Sequence, residues 1–191
     1  MSNSFIKNLD LINETIPKIF EDDNLTLQYA NIVEKSISSL KLGGSIFIGG
    51  NGGSASQADH FVGELVGRFY KEGKSLKVFS LNSNQVVLTA ISNDFSYDDI
   101  FYQQLNGQMN KKDLFIGIST SGTSKNIIKA VDFCKENDFE YFLLTGESNL
   151  NEDISKNAFI VPSTNTPTIQ EVHIIFLHSL AEDIEKSLRI T

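Results

Sequence analysis

The sequence holds no Trp, one Cys, three Pro and three His in 191 residues. The single cysteine, Cys134, excludes an intrachain disulfide framework and fits a reducing compartment, where it reads as a semi-buried helix residue. Positive charge is scarce as well: 16 Lys and Arg face 24 Asp and Glu, a formal charge of −8. That balance argues against a nucleic-acid groove or an anionic membrane as partner. A negatively charged ligand must then be held by local dipoles and a few cations, not by the global field. No apolar run is long enough to span a bilayer, and the opening MSNSFIKNLD has no apolar signal core, so the expectation is a soluble cytoplasmic protein. Internal repeats, low-complexity tracts and linkers are also missing.

What is present is core material: 40% hydrophobic residues and 14 Phe, enough for one α/β domain with flanking helices. Residues 4–21 and 24–41 show helical spacing of apolar positions, the first with Pro17 inside it. Two amphipathic helices before the first strand exceed what a small sheet needs for cover. Residues 1–42 therefore read in part as an oligomer interface, and 43–191 as the body of a single structural domain. Gly43 and Gly44 read as C-cap residues. Strands are expected at 45–48, 76–81, 113–119, 141–144 and 158–161. Helices are expected at 54–70, 86–91, 100–109, 125–137 and 169–188, with a helical turn at 150–155 and SNDFSYDD as a loop. Apolar strands alternating with helices predict a three-layer αβα sandwich around a parallel sheet of about five strands.

The stretch GGSIFIGGNGGSASQADHFVGELVGR (Gly43–Arg68) organises the rest. Glycines 49, 50, 52 and 53 around Asn51 let the backbone approach a ligand closely. Ser54 is expected to N-cap the following helix, whose N-terminus favours an anion. His60 and Glu64, four apart, share one helix face, and Arg68 is placed to pair with Glu64. A second loop, Ser119-Thr120-Ser121-Gly122-Thr123-Ser124, carries five hydroxyls at another helix N-terminus. One hydroxyl suffices for a cap, so the excess points to a phosphate. Both loops follow strands, where open α/β sheets bind ligands.

A dinucleotide is disfavoured: Gly50-x-Gly52-x-x-Ala55 fits the loose fingerprint, but the next strand ends Leu81-Asn82-Ser83 without the acidic residue that would hold a ribose. No nucleoside-triphosphate loop occurs either, so no nucleotide cofactor is expected. Of the remaining histidines, His173 reads as a buried structural or interface residue. His178 lies eight residues beyond Gln170, about 12 Å along a helix. If both serve one site, a second subunit helps complete it. Asn93-Asp94 is the remaining polar pair, at an expected loop mouth.

Taken together, GGNGGSA, ADHFVGELVGRF, SNDF, GISTSG with Ser124, and IQEVHIIFLH resemble the phosphoheptose isomerases of the sugar isomerase (SIS) family over nearly the whole chain. The resemblance implies a flavodoxin-like αβα sandwich, a homotetramer with active sites between subunits, and one zinc ion per subunit. It implies conversion of sedoheptulose 7-phosphate to D-glycero-D-manno-heptose 7-phosphate, the first step toward the heptose of bacterial lipopolysaccharide cores or capsules. By the same resemblance His60, Glu64, Gln170 and His178 are zinc ligands, and Glu64 and His178 the acid/base pair. Asn51, Gly52, Gly53, Ser54, Glu64, Asn93, Asp94, Ser119, Thr120, Ser121, Ser124 and Gln170 are then substrate-binding. One departure is Thr168, where many members carry Arg before the IQE motif; another is a glycine-poor stretch between Leu144 and Ala158. Two alternatives stand beside this reading: an isomerase of another phosphosugar, and a non-catalytic SIS scaffold that binds the replication initiator. Scaffold relatives lack the acidic residue and the histidine that this chain has at Glu64 and His178.

Overall fold

The structure, a computed structural model, describes residues 3–148, 150 and 152–189. Two helices come first. α1 (Ser4–Phe20) is capped by Asn3, which accepts from Phe5 N–H at 3.1 Å, and α2 (Asp23–Lys41) by Asp22, which accepts from Asn24 N–H at 2.9 Å. Gly43 and Gly44 close α2 with N–H bonds to the Leu40 and Ser39 carbonyls, as a C-cap should. Then follow β1 (Ile46–Gly50), α3 (Gly53–Val66), β2 (Val78–Ser80), α4 (Gln85–Asp94) and a 3₁₀ turn at Tyr97–Asp99. The chain continues through α5 (Ile100–Gln108), β3 (Leu114–Ser119), α6 (Lys125–Glu136), β4 (Glu140–Gly146), α7 (Glu152–Ser155), β5 (Ala158–Val161) and α8 (Thr166–Leu188).

All five strands pair in parallel, in the order β2-β1-β3-β4-β5. The central three are buried on both faces, and their side chains alternate between two cores. Ile46, Ile48, Leu114, Ile116 and Phe142 join residues of α2, α3 and α8 on one side. Phe47, Phe115 and Leu143 join residues of α5 and α6 on the other. This is the three-layer αβα sandwich read from the sequence.

Several boundaries differ for local reasons. Ser54 is not the cap of α3: it lies inside the helix and is buried, while Gly52 stands at the N-cap with φ 55°. That angle suits glycine, so the turn is made by backbone freedom where a hydroxyl was expected. The second strand is shorter than 76–81, because Leu76 N–H is drawn to Leu65 O at the end of α3. Asn84 caps α4 through its side chain, and the helix runs on to Asp94, so the first three residues of SNDFSYDD, expected as a loop, are helical. Asn165 starts α8 three residues early by accepting from Thr168 N–H at 3.1 Å. No described helix is long and apolar enough to cross a membrane.

His173 lies in the core, fully buried, with Nε2 3.3 Å from Thr145 O. Burial pushes its pKa down to about 4, against a smaller opposing effect of that hydrogen bond. The unfolded chain therefore takes up a proton near pH 6.5 that the folded chain refuses until about pH 4. Stability is accordingly lost as pH falls through that window, by about 2 kcal/mol between pH 7 and 5 from this group. Urea midpoints at the two pH values should show the drop, and His173→Gln should flatten it. Cys134 is fully buried too, and burial raises its thiol to about 12, which leaves it inert.

Candidate active site

The strand order reverses between β1 and β3, and the two loops singled out above leave the carboxyl ends of these neighbours. The glycine loop is fixed from below. Asn82 clamps Gly50 on both sides, accepting from its N–H at 3.0 Å and donating Nδ2 to its carbonyl at 2.8 Å. In the hydroxyl turn, Ser119 and Ser124 meet at 2.9 Å, and Ser121 Oγ accepts from Thr123 N–H and Oγ1. Ser124 flanks α6 without a side-chain cap bond, so its hydroxyl is not consumed by starting the helix. Gly146 N–H donates to Thr120 O at 3.1 Å and braces the turn against β4. The glycine loop reaches the first turn of α6, just behind the hydroxyl turn, through a mutual amide pair between Asn51 and Asn126.

The second part of the site is the seam between α3 and α8. Both helices leave the same sheet edge after parallel strands, so they run parallel and keep register. At the loop end, Gln170 sits so close to Gly53 that a Cβ there would lie 2.5 Å from Gln170 Nε2. One turn on, Gln57 Nε2 donates to Gln170 O at 2.7 Å. Two turns on, His60 Nε2 lies 2.8 Å from His178 Nε2 and 3.1 Å from Glu64 Oε1. The donor atoms of these three residues all fall within 4.8 Å of one another. Four ligands around zinc stand about 3.3 Å apart, and zinc takes mixed nitrogen and oxygen donors, so the spacing and chemistry of the trio fit that ion. Phe69 stacks on His178 with ring centroids 5.8 Å apart.

At the far end of the seam α8 ties down the end of α3. Glu185 and Arg189 form an ion pair at 2.7 Å with side chains 2% and 1% exposed. The Glu185 carboxylate also accepts N–H bonds from Phe69, Tyr70 and Lys71. Arg189 donates to the carbonyls of Leu65 and Gly67 at the end of α3, which have no helical partner, and to that of Lys71 beyond it. Burial drives the Glu185 pKa up, but these hydrogen bonds outweigh it and hold the carboxyl below its ordinary value.

Thus His60, Glu64 and His178 come together from segments over a hundred residues apart. Asn51, Gly52, Gly53 and Gln170 gather at the loop end of the seam, next to the Ser119–Ser124 turn. Gln170 is not part of the His60–Glu64–His178 trio within one chain, since its amide lies over Gly53, about 12 Å of helix from His178. Asn93 and Asp94 lie exposed at the end of α4, bonded to each other at 2.9 Å. Arg68 pairs with Glu72 at 2.8 Å, not with Glu64, because α3 has already ended and the chain turns. A cleft of about 470 Å³ flanks the hydroxyl turn, lined by Gly122, Thr123, Lys125 and Leu150 among others.

Comparison with known proteins identifies the family. The SIS domain family profile matches residues 9–146. The chain belongs to the SIS domain family. It is 41% identical over 173 residues to phosphoheptose isomerase 2 of Campylobacter jejuni, covering 90% of this chain and 86% of that protein. It is 39% identical over 190 residues to phosphoheptose isomerase of Aliarcobacter butzleri, covering 98% and 99%. Among solved structures it superposes on a phosphoheptose isomerase from Francisella tularensis with TM-score 0.85 at 30% identity, over 97% of this chain and all of that one. The Neisseria gonorrhoeae enzyme gives 0.80 at 30% identity, over 96% and 95%. This SIS domain is an enzyme, an aldose–ketose isomerase.

Asn82, Asn126, Tyr97, Glu185 and Arg189 had no role in the sequence reading. Asn82 follows the second strand, where a dinucleotide site would carry an acidic residue, and only the fold reveals its clamp on Gly50. Glu185 and Arg189 have the spacing of a surface helix pair, and only the fold reveals them as buried.

Proposed function

We propose that this enzyme interconverts sedoheptulose 7-phosphate and D-glycero-D-manno-heptose 7-phosphate through an enediol, feeding the heptose of bacterial lipopolysaccharide or capsule. The observation that carries the reading is the convergence of Glu64 with His60 and His178 across the α3–α8 seam. An aldose–ketose interchange needs one group for the carbon-bound proton and another for the oxygens. Glu64 takes the proton from C1 of the ketose, and His178 delivers one to the oxygen on C2, giving the enediol. His178 then removes the proton from the oxygen on C1 as Glu64 returns its proton to C2, giving the aldose. The phosphate is held by the hydroxyls of Ser119, Thr120, Ser121 and Ser124 with the N-terminal N–H groups of α6. Asn51, Gly52, Gly53, Asn93, Asp94 and Gln170 hold the sugar. Ser54, buried within α3, supports that loop from inside the helix.

His60, Glu64 and His178 hold one zinc ion per subunit, with Gln170 as a further ligand from a neighbouring copy or after rearrangement. When bound, zinc polarises the carbonyl and stabilises negative charge on the enediolate oxygens. The seam argues for completion by a second copy: His60 stands about 10 Å of helix from Gly53, so the phosphate loops and the trio are separated within one chain. Phe5, Ile6, Leu9, Phe20 and Leu27 are exposed on α1 and α2, and they supply an apolar face for the homotetramer we propose. The reaction belongs in the cytoplasm, where buried Cys134 stays reduced.

Purified protein should convert sedoheptulose 7-phosphate to the aldose, followed by chromatography of the two sugars. Conversion of another ketose phosphate with higher kcat/KM would reassign the substrate; no turnover of any would favour the scaffold. Elemental analysis should find about one zinc per chain, lowered by His60→Ala.

A further inference from the structure

Resting on the reading of the glycine loop as a substrate site, we infer that Asn126 and Tyr97 are positioning residues that fix which face of the Asn51 amide meets the sugar phosphate. Ile127 N–H must donate, and it donates to Asn126 Oδ1 at 2.9 Å. That contact fixes the orientation of the Asn126 amide, which is 2% exposed. Its Nδ2 therefore points at Asn51 Oδ1, at 2.9 Å, and its Oδ1 accepts in return from Asn51 Nδ2 at 2.9 Å. Asn51 is thereby prevented from flipping: a reversed amide would set oxygen against oxygen and nitrogen against nitrogen.

Tyr97 completes the arrangement by donating its hydroxyl to Asn51 Oδ1 at 2.8 Å. The Asn51 carbonyl oxygen now has two donors, which fills its lone pairs. Its Nδ2 has spent one proton on Asn126 and keeps the other. Asn51 is thus held as a hydrogen-bond donor, facing an oxygen-rich anionic ligand that needs one. The device also spans the site. Asn126 belongs to the first turn of α6, just behind the hydroxyl turn, and Tyr97 to the 3₁₀ turn after α4, so one side chain of the glycine loop is set by two other segments. Lys129, one turn beyond Asn126 on α6, holds that 3₁₀ turn through Asp99 at 2.5 Å.

The test is a pair of double-mutant cycles on sedoheptulose 7-phosphate. Tyr97→Phe keeps the ring, and Tyr97 is exposed, so the fold is not at stake. It should lower kcat/KM on the order of tenfold, mostly through KM, since the lost donor geometry serves ground state and transition state alike. Asn126→Ser should cost at least as much. In an Asn51→Ala background neither substitution should lower kcat/KM further, because the residue through which both act is gone. Equal losses in both backgrounds, or no loss with Asn51 intact, overturn the inference while leaving the isomerase reading in place. Protein that binds sedoheptulose 7-phosphate without converting it overturns the isomerase reading, and the same cycles are then judged on Kd by calorimetry. Protein that does not bind it overturns both.

Discussion

Glu64→Gln should lower turnover of sedoheptulose 7-phosphate by about 10² to 10⁴, with the protein folded and the effect falling on kcat. The amide is isosteric with the carboxylate but cannot take a proton from carbon, so the substitution removes chemistry and leaves shape. His178→Gln should produce a comparable loss, because protons then move between the two oxygens only through water. The two effects should not multiply: groups that act on one proton-transfer sequence fail together, and the double variant should be scarcely worse than either single one. Zinc content must be measured alongside, since both residues also belong to the donor trio. Full metal with lost turnover assigns them to proton transfer. Wild-type rates in either variant would end the enediol mechanism drawn here.

The largest effect on stability should come from Arg189→Met. Removing one partner of a buried ion pair leaves the other charged and unsolvated, which costs about 3–5 kcal/mol. Here Glu185 would keep its three backbone donors but lose its cation, and the carbonyls of Leu65, Gly67 and Lys71 would lose theirs. A lowered urea midpoint with unchanged m would register the loss. Glu185→Gln in the same chain should recover part of it, because the stranded charge goes with it. The pH dependence of this knot has its own window. Its folded pKa lies below the ordinary 4.5, so its stabilisation is complete above that value and disappears as pH falls through the folded one. That lies on the acid side of the range in which His173 acts.

The fold was legible because each central strand is a continuous apolar run bounded by glycine or polar turns, and each helix carries a stripe. Gly49–Gly53 and Ser119–Ser124 could be placed on one sheet edge from the alternation alone. Their adjacency, by contrast, depends on β2 leaving from the other side of β1, which no local pattern encodes. The partnership of His60 with His178 came from resemblance, not from spacing, since nothing in either helix states that they lie side by side. Ser54 reads as a cap in the sequence because a hydroxyl before an apolar run is the usual signal, whereas the positive φ of Gly52, which makes the turn, leaves no such trace. Asn126 was hidden by the hydroxyls beside it; its importance is visible only when Ile127 N–H is followed to its acceptor.

The register of α3 with α8 limits how this chain can vary. Gly53 with Gln170, His60 and Glu64 with His178, and Leu65 with Arg189 are successive rungs of one ladder. Dropping or adding a residue between the first rung and the second would rotate everything beyond it by about 100° and carry Glu64 off the shared face. These two helices therefore tolerate substitution far better than a change of length, and insertions in descendants of this sequence belong in the loops at the opposite edge of the sheet.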